Sequence, residues 1–190
     1  MPEAPIFEAF MRKYQDMVYS TAIRLLANPT EAQDISQEVF LRAYEHYDKL
    51  DGNPAAGGWL KRVATNLCLN HLSRYRSRWS LFSDLAAGAE ADEPEQPEFA
   101  STSDLASELE SSDRHQLLEQ ALQGMPAARR VPLVLFHLEG LSYEEIATRL
   151  GVSLGKVKTD IFRARKELFK LLQPAFADEG FERPRLKPAC

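Results

Sequence analysis

The stretch Ser142-Tyr143-Glu144-Glu145-Ile146-Ala147-Thr148-Arg149-Leu150-Gly151-Val152-Ser153 constrains the fold more tightly than any other part of this sequence. Ser142 can cap a helix, and Glu145, three residues on, completes a capping box. Ile146, Ala147 and Leu150 supply an apolar stripe, and the small Ala147 lets a second helix cross closely. Gly151 can take the positive φ that stops a helix, and Ser153 can cap the next one. Helix, glycine turn and helix in this register build a helix-turn-helix. In the second helix Leu154, Val157, Ile161, Ala164, Leu168 and Leu171 share one face. Lys158, Thr159, Phe162, Arg163, Lys166 and Lys170 share the opposite one. Cations suit phosphates, Lys158, Thr159 and Arg163 can reach base edges, and Phe162 can pack on a thymine methyl. A basic face turned only to solvent is the plainer alternative.

The same helical period runs through the rest of the chain, and no segment alternates like a strand. Phe7, Phe10, Met11, Tyr14, Val18, Thr21 and Leu25 mark a first helix, broken at Asn28-Pro29-Thr30. Thr30 is the expected N-cap of a second helix from Glu31 to Tyr47. Asp51 to Gly58 reads as a loop, and a third helix is expected from Trp59 to Arg78. Beyond Arg114, breaks at Gly124-Met125-Pro126, Gly140 and Gly151 divide four further helices, with Pro132 expected to bend or interrupt the second of them. The fold class is therefore all-α, with two small helical domains at 6–80 and 114–173. Residues 81–113, rich in acid, Pro, Ala and Ser, read as a flexible linker, and 174–190 as a disordered tail.

Charge bears on partners only once it is divided. The formal charge is −5 over 190 residues, but residues 81–113 hold ten acidic and no basic side chains. Residues 1–80 come to +1 and residues 114–190 to +4, so two basic-leaning blocks flank an acidic connector. No apolar run approaches the ~20 residues of a membrane helix, and no signal-peptide layout opens the chain. Cys68 and Cys190 make no disulfide framework, so a reducing cytoplasm is the expected location. Cys68 and His71 lack a second pair of ligands, and we expect neither a metal site nor a cofactor. No P-loop, GxSxG, HExxH or paired-carboxylate motif is present, so no enzyme and no small-molecule substrate are expected.

Two further blocks carry a resemblance. Asp34-Ile35-Ser36-Gln37-Glu38-Val39-Phe40-Leu41-Arg42-Ala43 and Trp59-Leu60-Lys61-Arg62-Val63-Ala64-Thr65-Asn66 resemble regions 2.2 to 2.4 of the sigma-70 family. Gly140 to Arg165 resembles region 4. The likeness spans residues 7–80 and 114–173. With no region 1.1 and no full region 3 between them, it points to the extracytoplasmic-function (ECF) group. What the resemblance implies is an alternative sigma factor that binds core RNA polymerase and reads −35 and −10 promoter elements. It implies that Asp34, Gln37, Glu38 and Leu41 meet the coiled coil of the polymerase's largest subunit. It further implies −10 reading by Arg62, Asn66, Asn70 and Arg76, and −35 reading by Lys158, Thr159, Phe162, Arg163 and Lys166. An anti-sigma factor is an expected partner on the same ground.

The residues support these roles. Ala32, Ile35, Val39 and Ala43 form the buried side of the second helix, which leaves Leu41 among charges, as on a partner surface. Amides along a basic helix suit bases being unpaired. Trp59 is read as a core anchor for the preceding loop, with a wedge into DNA as the alternative. Asp160 departs from the basic residue many relatives carry, and either pairs with Lys156 or contacts a cytosine amino group. The rival readings are a helix-turn-helix regulator acting without core polymerase, and a helical adaptor with incidental basic faces.

Overall fold

The structure is a computed structural model that describes residues 4–83 and 112–176, with side chains described over 5–73 and 116–172. The described residues are helical throughout their regular elements and fall into two compact units, one within residues 1–88 and one within 89–190. The linker and tail expected at 81–113 and 174–190 lie almost wholly outside the described residues.

In the first unit α1 (Ala4–Leu26), α2 (Pro29–Glu45), α3 (Tyr47–Leu50) and α4 (Ala56–Ser83) surround one core. α1 lies against both α2 and α4, and α2 against α4. Val18, Val39, Ala43, Leu60 and Ala64 are fully buried at their centre. Each full burial of a Val or Leu side chain is worth about 1.5–3 kcal/mol. The α1 periodicity holds: Phe7, Phe10, Met11 and Tyr14 pack on this core from one side. Phe7 meets Tyr44 edge-on at 5.0 Å and Tyr47 at 5.7 Å, while Phe10 meets Tyr47 at 5.5 Å. Edge-to-face contact sets a ring's positive rim against its neighbour's negative face.

Several boundaries differ from the expected ones, each for a local reason. The α2 cap is Asn28, not Thr30: its side-chain oxygen accepts from Thr30 N at 3.1 Å and Glu31 N at 3.3 Å. Pro29 occupies the first turn, where its missing N–H has no intrahelical partner to lose. The short α3 was not expected, because four residues are too few to show a period. α4 starts at Ala56 rather than Trp59, with Gly57 and Gly58 inside it. Asn53 organises that start, accepting from Ala55 N at 2.9 Å and donating to the Lys49 carbonyl at 3.1 Å. A Cβ on Gly57 would lie 3.3 Å from the Tyr14 ring, so this glycine serves close packing rather than a loop. Trp59 is the core anchor expected of it, packed on the cluster with His46 edge-on at 5.8 Å.

The second unit comprises α5 (Ser112–Gly124), α6 (Ala127–His137), α7 (Tyr143–Leu150) and α8 (Leu154–Phe176). All three preceding helices pack on α8. α6 runs unbroken through Pro132, contrary to an interruption there. Proline in a helix interior costs about 3 kcal/mol. Val131, Leu133, Val134 and Leu135 are all buried around it, and their burial at about 1.5–3 kcal/mol each outweighs that cost. Arg130 is also buried, and its guanidinium donates to the Met125 carbonyl at 2.6 Å, closing the turn between α5 and α6. Burial lowers its pKa from an ordinary arginine's.

Candidate nucleic-acid and polymerase interfaces

The helix-turn-helix forms as its sequence dictates. Ser142 Oγ accepts from Glu145 N at 3.2 Å, and the Glu145 carboxylate accepts from Ser142 N at 2.8 Å, completing the capping box. Those bonds from Ser142 hold the Glu145 carboxyl below its usual pKa. α7 ends at Gly151, whose φ of 64° is left-handed, and Val152 N donates back to the Ala147 carbonyl at 3.1 Å. Ser153 Oγ then accepts from Lys156 N at 3.2 Å to cap α8.

Along α8, Val157, Ile161 and Ala164 are fully buried, which turns the opposite face outward. Lys158, Arg163 and Lys166 are exposed, and Thr159 and Phe162 are half-buried beside them. The Thr159 hydroxyl donates to the Gly155 carbonyl at 2.9 Å. Leu154 and Leu171, assigned above to the apolar face, are exposed at 37% and 52%, while Val157, Ile161 and Ala164 between them are fully buried. Asp160 pairs with Lys156 at 3.0 Å, the intrahelical arrangement of the two alternatives.

Sequence reasoning missed the side chains that hold α8 to α6. Arg165 Nε donates to His137 Nε2 at 3.0 Å while its guanidinium lies 5.4 Å above the Phe136 ring. Phe136 in turn stacks on Tyr143 at 4.5 Å. Partial desolvation of the imidazole, and next the positive Arg165 beside it, push His137 down to about 4, although the residue as a whole stays exposed. A second tie joins Arg129 to Glu167 at 2.7 Å. These partners are 28 and 38 residues apart, and neither periodicity nor motif marks them.

In the first unit, Arg62, Asn66, Asn70 and Ser73 are exposed and recur at helical spacing down one side of α4. Leu60, Ala64 and Cys68 are buried on the other side. The Arg76 side chain lies outside the described residues. On α2, Asp34, Gln37 and Leu41 are exposed, and Leu41 at 63% is the most exposed large apolar side chain among the described residues. Glu38 is half-buried and accepts from Arg42 Nε at 2.9 Å. Glu38, Leu41 and Arg42 line an open groove with Tyr44, Glu45 and His46, and Asp34 and Gln37 are not part of its lining. His71 Nε2 sits 3.3 Å from the Glu31 carboxylate, tying α4 to α2. Among the described residues no group of three or more His, Cys, Asp or Glu side chains could hold a metal ion. No helix there is long and apolar enough to cross a membrane.

A glycine-turned helix pair that presents cations over a buried spine is the architecture of a duplex-DNA reader. Comparison with known proteins makes that class specific. Residues 10–78 match the family model for sigma-70 region 2, and residues 115–168 that for sigma-70 region 4. The chain is 35% identical to the RNA polymerase sigma-H factor of Pseudomonas aeruginosa, over 88% of this chain and 86% of the relative. It is 33% identical to the ECF RNA polymerase sigma factor SigW of Bacillus subtilis, over 84% and 85% of the two chains. A solved structure of the sigma factor RpoE with the anti-sigma factor NepR from Bartonella quintana is 23% identical, with a TM-score of 0.46, over 88% of this chain and 96% of that one. The chain belongs to the ECF group of the sigma-70 family and is an alternative sigma factor that directs transcription.

Proposed function

We propose that the two helical units divide promoter reading between them while one face of α2 engages the polymerase. In this reading α8 enters the major groove of the −35 element. There Arg163 and Lys158 contact base edges or phosphates, Thr159 and Phe162 offer methyl and ring contacts, and Lys166 neutralises backbone charge. Arg62, Asn66, Asn70 and Arg76 read the −10 element as its strands separate, since amides can pair with exposed base edges and cations follow the phosphates. Asp34, Gln37, Glu38 and Leu41 dock on the coiled coil of the polymerase's largest subunit. The domain limits are 6–80 and 114–173, with 81–113 as the connector and 174–190 as a tail. The protein acts in the cytoplasm, catalyses no reaction itself, needs no cofactor, and is held inactive by an anti-sigma factor.

The observation that carries this reading is the pair of outward stripes, one rich in amides on α4 and one rich in cations on α8. Each stands opposite a fully buried apolar spine. Run-off transcription with core polymerase on the promoter of the protein's own gene tests it. A core-dependent transcript is expected from the wild type, and loss of core binding from Leu41→Asp. Specific promoter binding that needs no core enzyme would instead favour a free-standing helix-turn-helix regulator.

A further inference from the structure

We propose that Asp160 is a positioning residue of the recognition helix that keeps Lys156 off the DNA backbone and so weakens sequence-independent binding. The inference rests on the reading of α8 as the −35 reader. Lys156 is 51% exposed at the N-terminal end of α8, where a cation would ordinarily find a phosphate. Its Nζ is instead held 3.0 Å from Asp160 Oδ2, a carboxylate whose side chain is only 13% exposed. That low exposure argues against Asp160 reaching a cytosine amino group. It also makes the carboxylate dependent on Lys156, because a partly desolvated anion without its cation is costly.

Exposed i,i+4 pairs are individually weak, so a phosphate could compete for the lysine. Approaching DNA changes that balance in favour of the pair. Releasing Lys156 to a phosphate would leave Asp160 facing a dense array of like charges. The pair therefore docks as a neutral unit, and Lys158, Arg163 and Lys166 carry the cationic contact. The carboxylate acts through Lys156 and need not touch a base.

The test is closed-complex binding by the full-length protein assembled with core polymerase, titrated with salt on its own promoter and on the same fragment with a scrambled −35 element. Each phosphate neutralised steepens the dependence of log K on log salt by about 0.9, equivalent to about threefold in affinity between 50 and 200 mM. Asp160→Asn is expected to tighten binding to both fragments and to steepen the slope by about 0.9, one contact's worth. Lys156→Ala alone leaves the Asp160 charge unpaired beside the phosphates and should weaken binding to both fragments, whereas Lys156→Ala with Asp160→Asn, neutral like the pair, should keep the wild-type slope. Asp160→Glu, which keeps the pair, should behave as wild type. A mere loss of stability would weaken binding and would not steepen the slope.

The proposal is overturned if Asp160→Asn leaves the slope unchanged, or if Lys156→Ala with Asp160→Asn gives a flatter slope than the wild type, since Lys156 would then already be contacting a phosphate. It is also overturned if Asp160→Asn weakens binding to the native −35 element only, since the carboxylate would then be reading a base. A wild-type holoenzyme that binds neither fragment would overturn the −35 reading itself, which separates that failure from this one.

Discussion

The two units solve one problem, holding a long helix with an exposed polar face rigid, by different physical means. α4 is held by a broad apolar and aromatic core drawn from α1, α2 and α3, with edge-to-face rings and fully buried aliphatic side chains. α8 rests on a narrower spine of Val157, Ile161 and Ala164, supplemented by polar ties from Arg165 to His137 and from Arg129 to Glu167. The outward faces differ as well, with amides prominent on α4 and cations on α8. The lesson is that apolar burial supplies most of the hold on one helix, with the His71–Glu31 contact beside it. The other borrows part of its rigidity from groups that respond to salt and proton concentration.

The harshest way to break the comparison is to remove the centre of the first core. Leu60 is fully buried, and Leu60→Ala should destabilise the first unit by about 2–5 kcal/mol in chemical denaturation. The transition of the second unit should stay in place. If both shift together, the units are not energetically separate.

A gentler change probes the turn on which the second unit depends. Gly151 has a φ of 64°, and an L-residue there loses about 1–2 kcal/mol. Gly151→Ala should therefore lower the melting temperature of the second unit and weaken −35 binding, with the far-UV helix signal kept. A neutral result would mean that the turn relaxes at no cost.

The smallest expected effect sharpens the contrast in pH response. His137 has a folded pKa of about 4, below the ordinary value of 6.5, so the unfolded chain takes up the proton first. Its contribution to stability is complete above about pH 6.5 and is lost as pH falls towards 4. Thermal melts across that window should show the second unit weakening, and His137→Gln should flatten the dependence. Glu145, whose carboxyl is lowered by its bonds from Ser142, adds a loss only at still lower pH, below the ordinary carboxylate value of 4.5. An unchanged slope in the His137 variant would show that the tie to Arg165 carries no proton linkage.

How much of the molecule could be read in advance follows from the range of each interaction. Ser142, Glu145, Gly151 and Ser153 act on backbone groups within a few residues, so the helix-turn-helix was legible from their spacing alone. The outward stripes of α4 and α8 were legible for the same reason, since a helix sorts its residues by a fixed period. Helix starts were less so: Asn28 and Thr30 are both good caps, and Pro29 decided between them only through its missing donor.

By itself, then, the sequence determined the all-helical class, the two units, the turn of the DNA-reading motif and the residues that line each outward face. These depend on periodicity and on caps a few residues apart. Only the tertiary structure decided that Gly57 makes room for the Tyr14 ring, that α6 survives Pro132, and that Arg165 lies between His137 and Phe136. Those outcomes rest on contacts between residues distant in the chain, where packing volume and partial desolvation, rather than local propensity, set the energy.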